Sequence, residues 1–284
     1  MNSRQGLIII LLLIGFYDSL YSYTLRFVDN TCIDNNIGNN LDYIILEPFN
    51  NKTNPNWSEI LTDIIQHTPP NDTNPYNDLV TLAHETTHGI NSYIRNKLNN
   101  TWLKANGFYI LNNRAIIIVE PNILKSKVKN FVPLKLRGLR YKLYVEGSSA
   151  WDDRPLYLWD EWVAYLNGSK TAVELYETWL WKYGRRDAMA GTIEFVVYGI
   201  AVAMAVQAYD QNYFVSNLQF KEFLKWLLQE SMHVFIKGKD IDVFNFEYQQ
   251  TYYNDFINNP SCESIREFLR DTFGVQWVYQ VFGF

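Results

Sequence analysis

Apolar residues recur at helical spacing over much of the chain. Between residues 78 and 98 they stand three or four positions apart, with Asn77 or Asp78 placed to cap the start, which predicts a partly buried helix. The same spacing, with Pro and Gly near the ends, predicts further helices near 57–66, at 155–167, from 170 to about 183, at 220–236 and at 261–273.

The longest apolar stretch covers residues 187–210. It is about twenty residues long, which is the length that a membrane-spanning helix needs. However, it contains Glu194, Gly199 and Gln207 among many alanines. We therefore predict a buried core helix at this position and not a membrane span.

Strand patterns are shorter and lie mostly between the helical regions. Residues 107–111 and 114–120 flank Asn112-Asn113 and predict a β-hairpin. Other predicted strands are a pair within 134–145 that turns at Gly138, and pieces at 23–28 and 41–46. Prolines among Asn and Asp predict turns over residues 50–77, and we expect His67 there to be exposed.

The predicted elements define a mostly helical α+β fold. The apolar fraction of 48% can fill a substantial core, which argues against disorder. We find no internal repeat and no clear linker, so residues 23–284 are predicted to form one domain. The net charge is −5 and no basic block stands out, which argues against nucleic-acid binding.

The N-terminus has the pattern of a signal peptide. Arg4 precedes an apolar run at 7–17, which is too short for a membrane span. Ser22 offers a cleavage site, so we expect residues 1–22 to be removed and the protein to be secreted or extracellular, with no stable membrane span afterwards. An uncleaved signal anchor and a buried first helix are the alternatives.

In a secreted protein, cysteines can form disulfides and sequons can be glycosylated. Cys32 and Cys262 could pair in an oxidising compartment, and two free buried thiols are the alternative. If the host glycosylates the chain, its sequons predict surface positions at Asn51, Asn56, Asn71, Asn99 and Asn167.

The first predicted long helix contains His84-Glu85-Thr86-Thr87-His88. Residues four apart lie on one helix face, so His84 and His88 can both reach one metal ion, with Glu85 beside it. Ala83 and Gly89 add little bulk next to the histidines, which leaves room for a metal and a substrate. The alternative is two surface histidines and a solvated glutamate on an amphipathic helix.

A catalytic zinc site needs a third protein ligand as well as an open position. Glu161 stands among aromatic and aliphatic residues of a predicted helix, where a buried carboxylate requires a partner, and a metal is one such partner. We predict Glu161 as the third ligand. Glu194 is the main alternative, and Asp160 and His233 are further ones.

The motif resembles that of the zincin metallopeptidases. The metzincin branch has a third His six residues after the second, where this chain has Ile94, so that branch does not fit. A ligand Glu on a later helix, commonly within Asn-Glu-x-x-x-Asp, makes the chain similar to the gluzincin branch. The nearest match runs from Asp160-Glu161 to Tyr165, which replaces the usual Asp. A partner for a zinc-bound histidine must then come from elsewhere, or from Tyr165.

The resemblance implies a zincin-like core with a small antiparallel sheet on the motif helix, Zn²⁺ as cofactor and a peptide or protein substrate. It also implies endopeptidase-like hydrolysis in which Glu85 takes a proton from water and passes it to the leaving amine. The oxyanion needs a further donor, for which Tyr157, Tyr165, Tyr198 and His233 are candidates. The alternatives are a secreted zinc-binding protein of this fold without proteolysis, or a binding or structural protein with a fortuitous motif.

Overall fold

The computed structural model describes residues 41–72, 75–98 and 103–284. The predicted signal peptide at 1–22, the strand at 23–28 and Cys32 lie outside these residues, so their predictions stay predictions. The described residues form nine α-helices and three short strands. In chain order they are β1 (Ile44–Ile45), α1 (Glu59–Gln66), α2 (Leu79–Leu98), β2 (Ala105–Tyr109), β3 (Arg114–Val119), α3 (Tyr157–Glu177), α4 (Ala188–Tyr209), α5 (Gln211–Ser216), α6 (Leu218–Gly238), α7 (Glu247–Asn258), α8 (Glu263–Phe273) and α9 (Val275–Phe282).

A three-stranded antiparallel sheet with the order β1-β3-β2 covers one side of α2. The predicted β-hairpin is present, and in it β2 pairs with β3 so that Gly107 lies opposite Ile117. Its turn contains Asn112 and Asn113 with positive φ angles, a conformation that Asn tolerates better than most residues. The mostly helical α+β fold, with a small antiparallel sheet packed on the motif helix, is therefore confirmed.

Helices α3 and α4 form the centre of the hydrophobic core. The indoles of Trp159 and Trp162 on α3 are fully buried, and a Cβ on Gly199 of α4 would overlap the ring of Trp162. Helix α4 is the one described helix that is long and apolar enough to cross a membrane, but 94% of its apolar window is buried within the protein. The prediction of a core helix at 187–210 is thus confirmed.

Helix α3 continues through Gly168, where we had predicted its end. Gly168 lies against α2, and a Cβ at this position would stand 3.4 Å from the carbonyl oxygen of Val80 and 3.6 Å from the Cβ of His84. Beyond it, the Ser169 hydroxyl lies 2.6 Å from that of Thr192 on α4. The glycine therefore serves close packing between α2 and α3 and does not cap the helix.

The predicted strand pair within 134–145 is wrong. Residues Leu134–Leu136 form a 3-10 turn and Lys142–Glu146 a π-helical turn. The Tyr252 hydroxyl donates to the carbonyl of Leu136 (2.9 Å), and Glu194 accepts from the backbone N–H of Arg140 (2.9 Å). Because side chains of α4 and α7 bind these backbone groups, the groups are not available to a β-ladder.

Two polar residues expected at the surface are buried. His67 contacts the Tyr109 hydroxyl (2.8 Å) and lies 2.6 Å from the carbonyl oxygen of Asp63, so its predicted exposure is wrong. Asn167 donates to the Thr87 hydroxyl and to the carbonyl of Tyr109. Its burial excludes this sequon from glycosylation in the folded protein, whereas Asn51, Asn56 and Asn71 are exposed.

Candidate metal centre

Helix α2 presents two imidazoles from successive turns. His84 and His88 are four residues apart, and their Nε2 atoms lie 3.2 Å from each other. Their side chains are 15% and 23% exposed, so solvent and a substrate can reach them. Asp78, at the start of the helix, accepts from the N–H of Val80 (3.2 Å) and from the Thr81 hydroxyl (2.7 Å), which fixes the first turn.

Helix α3 brings Glu161 to the same point. Its Oε2 atom lies 3.2 Å from Nε2 of His88 and 3.8 Å from Nε2 of His84. Ligands placed tetrahedrally about 2.0–2.1 Å from a zinc ion are about 3.3–3.4 Å apart. The three separations are close to that value, so the donor set fits a zinc ion with a fourth position left open. Within 41–72, 75–98 and 103–284, this is the group of His, Cys, Asp or Glu side chains that could hold a metal.

Asp160, next to Glu161, contacts Nδ1 of His88, the ring nitrogen on the side away from Glu161. Its Oδ1 atom lies 3.0 Å from Nδ1 of His88 and accepts from Asn91 (2.7 Å), while Oδ2 accepts from Arg95 (3.1 Å). Burial alone would raise the pKa of Asp160, but His88, Asn91 and Arg95 hold it below its ordinary value. This buried carboxylate fixes Nδ1 of His88 as a donor, so that Nε2 is the ring nitrogen that faces the cluster.

His84 is held by other groups of α3. The ring of Tyr165 packs edge-on against it at 4.6 Å between centroids, and the backbone of Ala164 lies next to it. Helices α2 and α3 run antiparallel here, and His84 and His88 are four residues apart on α2, as Asp160 and Ala164 are on α3. His88 therefore lies beside Asp160, and His84 lies beside Ala164. The register of the two helices therefore orients both rings.

The two histidines differ in charge. Burial and the neighbouring His88 lower the pKa of His84 to about 3. Burial would also lower the pKa of His88, but Asp160 and Glu161 raise it well above the ordinary value. In the absence of a metal, His84 is thus neutral and His88 protonated. The two carboxylates stabilise a positive charge at the point where a cation would be bound.

Glu85 lies beside His84 on α2 and is half-buried. Its carboxylate forms no hydrogen bond or ion pair with another residue of the described parts of the chain. A general base has to be free to accept a proton, and this carboxylate meets that condition.

Glu194, the alternative third ligand, belongs to a different cluster. It is fully buried on α4, pairs with Arg140 (2.9 Å) and accepts from the hydroxyls of Tyr198 (2.8 Å) and Tyr248 (2.6 Å). These partners compensate its charge without a metal. The structure brings Glu161, and not Glu194, to the histidine pair.

The candidate oxyanion donors lie in different surroundings. Tyr165 contacts His84, and its hydroxyl accepts from Nε of Arg140 (3.1 Å) and lies 3.4 Å from the Tyr144 hydroxyl. Tyr157 lies one turn before Glu161, and burial together with the charge of that carboxylate raises the pKa of its hydroxyl. The Tyr198 hydroxyl donates to Glu194, and His233 is exposed on α6, where it lines a cavity together with Lys170. Among these residues, Tyr165 and Tyr157 adjoin the three ligands.

Sequence reasoning missed the residues that support the ligands. The sequence indicates Asp160 only as an alternative ligand, whereas in the structure it accepts from Asn91 and Arg95, for which no role is predicted. A usable signal was present, because His84, His88, Asn91 and Arg95 follow one another at intervals of four, three and four residues. Such a polar stripe along one face of a partly buried helix indicates a polar partner on the facing element.

The predicted disulfide stays a prediction. Cys262 is buried directly before α8, and within the part of the chain that the structure describes it has no disulfide partner. Cys32 lies outside the described residues, so its distance from Cys262 is not defined.

No protein-family model, curated protein or solved structure matches the chain. The link to zincin metallopeptidases therefore rests on the motif and on Glu161 alone, and function has to be argued from the geometry of the site.

Proposed function

We propose that this protein is a secreted zinc-dependent hydrolase that cleaves peptide bonds. His84, His88 and Glu161 hold the ion, and Glu85 acts as the general base. The proposal is carried by one observation, the convergence of the three donor atoms at 3.2, 3.2 and 3.8 Å with Asp160 behind His88. A surface pair of histidines would have neither the third donor nor the buried support.

When bound, zinc polarises a carbonyl and lowers the pKa of water at its open position. The remaining steps fall to side chains of the protein. Glu85, free of other partners, accepts the proton of the attacking water and passes it to the leaving amine. Asp160 keeps His88 in the tautomer whose Nε2 faces the ion, and Tyr165 holds the ring of His84 in place.

Metal content tests the ligand set. The purified wild type is expected to hold about one zinc per chain by atomic emission. Zinc should be lost in His84→Ala and in Glu161→Gln. The matched controls are His233→Ala, an exposed histidine, and Glu177→Gln, a glutamate near the end of the same helix as Glu161. A wild type without zinc, or equal loss in the controls, contradicts the proposal.

Hydrolysis tests the reaction separately from the metal. With a mixture of quenched fluorogenic peptides, Glu85→Gln should retain its zinc but lose about 10²- to 10⁴-fold in rate, the usual contribution of a general base. Zinc-loaded wild type that cleaves no peptide refutes proteolysis and leaves the alternative, a zinc-binding protein without peptidase activity. Equal rates in wild type and Glu85→Gln refute the assigned base.

A further inference from the structure

Although the net charge of the chain is −5, residues 121–145 form a strongly basic segment. Residues 121–145 contain no Asp or Glu at all, yet they hold seven of the chain's 25 Lys and Arg residues. These cations are spread over the segment and do not form a block, so the bare sequence does not draw attention to them. They are Lys125, Lys127, Lys129, Lys135, Arg137, Arg140 and Lys142.

Two of the seven are buried or paired with carboxylates, and the other five are exposed, although Arg137 also lies over the ring of Tyr141 and Lys127 over that of Tyr209. Lys125 is buried and donates to the carbonyls of Tyr144, Val145 and Gly147. Arg140 pairs with Glu194 and Asp187. The other five are exposed, and none of them forms an ion pair with any residue of the described ranges: Lys127, Lys129, Lys135, Arg137 and Lys142. Their charges are available to a negatively charged partner.

Exposed leucines stand between these cations. Leu134, Leu139 and Leu143 are 78%, 73% and 60% exposed, and Leu124 is 46% exposed. Leu139 and Leu143 are four residues apart on the helical turn in which the N–H of Tyr144 donates to the carbonyl of Arg140 (3.0 Å), so they share one side of it. Single exposed leucines need no explanation, but four within twenty residues call for one.

Hydrogen bonds to other side chains hold the backbone of residues 121–145 in place, so the segment cannot turn its leucines inward. The Lys125 ammonium ties the start of the segment to the end of the π-helical turn. The hydroxyls of Tyr252 and Tyr248 bind the backbone at Leu136 (2.9 Å) and Leu139 (3.2 Å). The apolar side chains are therefore presented outward by a rigid backbone.

We propose that residues 124–143 form a docking surface for an anionic lipid bilayer. Lysines and arginines next to the bilayer are attracted by its negatively charged headgroups, and leucines at the same level enter the boundary between headgroups and acyl chains. A soluble polyanion would use the cations but leave the leucines in water. A purely apolar partner protein would gain nothing from five uncompensated charges. The proposal does not depend on zinc or on hydrolysis.

Co-sedimentation of the full chain with vesicles tests this surface. Binding to phosphatidylcholine vesicles with about 30% phosphatidylserine should exceed binding to pure phosphatidylcholine, and about 0.5 M salt should reduce the excess. The apolar run at 7–17 is present in every variant, so binding to neutral vesicles serves as the baseline. The readout is the difference between the two vesicle types.

Two pairs of substitutions separate the charges from the leucines. Lys135→Glu with Lys142→Glu is expected to weaken the excess binding at least about 25-fold, since the loss of each cation alone removes about fivefold and each glutamate adds repulsion. Leu139→Ser with Leu143→Ser is expected to weaken it about tenfold or more. The controls change exposed or partly exposed residues elsewhere and should act less than about threefold: Lys52→Glu with Lys221→Glu, and Leu218→Ser with Val275→Ser.

Each result decides the matter. Loss in both test pairs but not in the controls supports lipid docking. Loss in the charge pair alone means a soluble polyanion partner and overturns the proposal. Equal loss in test and control pairs, or no preference of the wild type for anionic vesicles, overturns it as well.

Discussion

Replacing Asp160 by Asn tests whether the buried carboxylate behind His88 supports metal binding. Asp160 accepts from His88, Asn91 and Arg95, with Oδ1 serving the first two and Oδ2 the third. An amide of the same shape keeps one acceptor and turns the other into a donor. If its oxygen stays with His88 and Asn91, its NH₂ group faces the guanidinium of Arg95, which is only 11% exposed.

Two separate effects are expected from this change. Loss of a group that orients a ligating histidine typically weakens metal binding 10- to 100-fold, about 1.4–2.7 kcal/mol. Stability in the absence of metal should fall by about 3 kcal/mol, near the lower end for breaking a buried ion pair, because Arg95 keeps some contact with water and with Asn106.

Competition with a chelator gives the zinc affinity, and urea unfolding with EDTA gives the stability of the metal-free protein. Asp63→Asn is the matched control, because Asp63 also accepts two hydrogen bonds, from the Tyr109 hydroxyl and the N–H of Asn112, but has no contact with the three ligands. It should lose about 1–2 kcal/mol of stability and no affinity. Zinc affinity of Asp160→Asn within threefold of the wild type would falsify the role of this carboxylate.

Four further predictions concern the surroundings of the site. Burial raises the pKa of Glu120 to about 7 from 4.5, so roughly 3 kcal/mol of stability, present below pH 4.5, is lost as the pH rises through about 7. Urea unfolding of Glu120→Gln should show a flatter dependence on pH in that window, and an unchanged slope contradicts the assignment. Gly199→Ala should cost about 1–3 kcal/mol in the same assay because its Cβ overlaps Trp162. Gly168→Ala meets only ordinary contacts and should be neutral or stabilising by up to about 1 kcal/mol. Glu194→Gln should still hold about one zinc per chain but lose about 2–3 kcal/mol, because Arg140 loses a buried partner; loss of zinc would point to Glu194 as a ligand.

The elements that sequence predicts well are those whose own residues decide the structure. The hairpin of β2 and β3 follows from apolar runs on either side of Asn112-Asn113, and α4 follows from its unbroken apolar stretch. Both patterns are local, and tertiary contacts only reinforce them.

The sequence-based predictions fail where side chains from distant parts of the chain determine the local secondary structure. Residues 134–145 alternate like strands, but the hydroxyls of Tyr248 and Tyr252 on α7 bind their backbone at Leu139 and Leu136. Gly168 has the position of a helix end, but α3 continues through it and packs there against Val80 and His84 of α2. Neither partner can be identified from the local sequence, since both lie tens of residues away.

In the candidate site, the position of His88 likewise follows from the local sequence, whereas the partners of its two ring nitrogens depend on a distant helix. The pattern of α2 is enough to place two ring nitrogens on one face, but what each nitrogen binds depends on the register of α3 against α2. In that register Asp160 meets Nδ1 of His88 at 3.0 Å and Glu161 meets Nε2 at 3.2 Å. Consecutive residues of a helix point about 100° apart, so neighbouring carboxylates reach opposite sides of a ring that lies between them. An Asp-Glu pair facing a motif histidine can thus supply both the ligand and its support, which removes the need for the Asp that Tyr165 replaces.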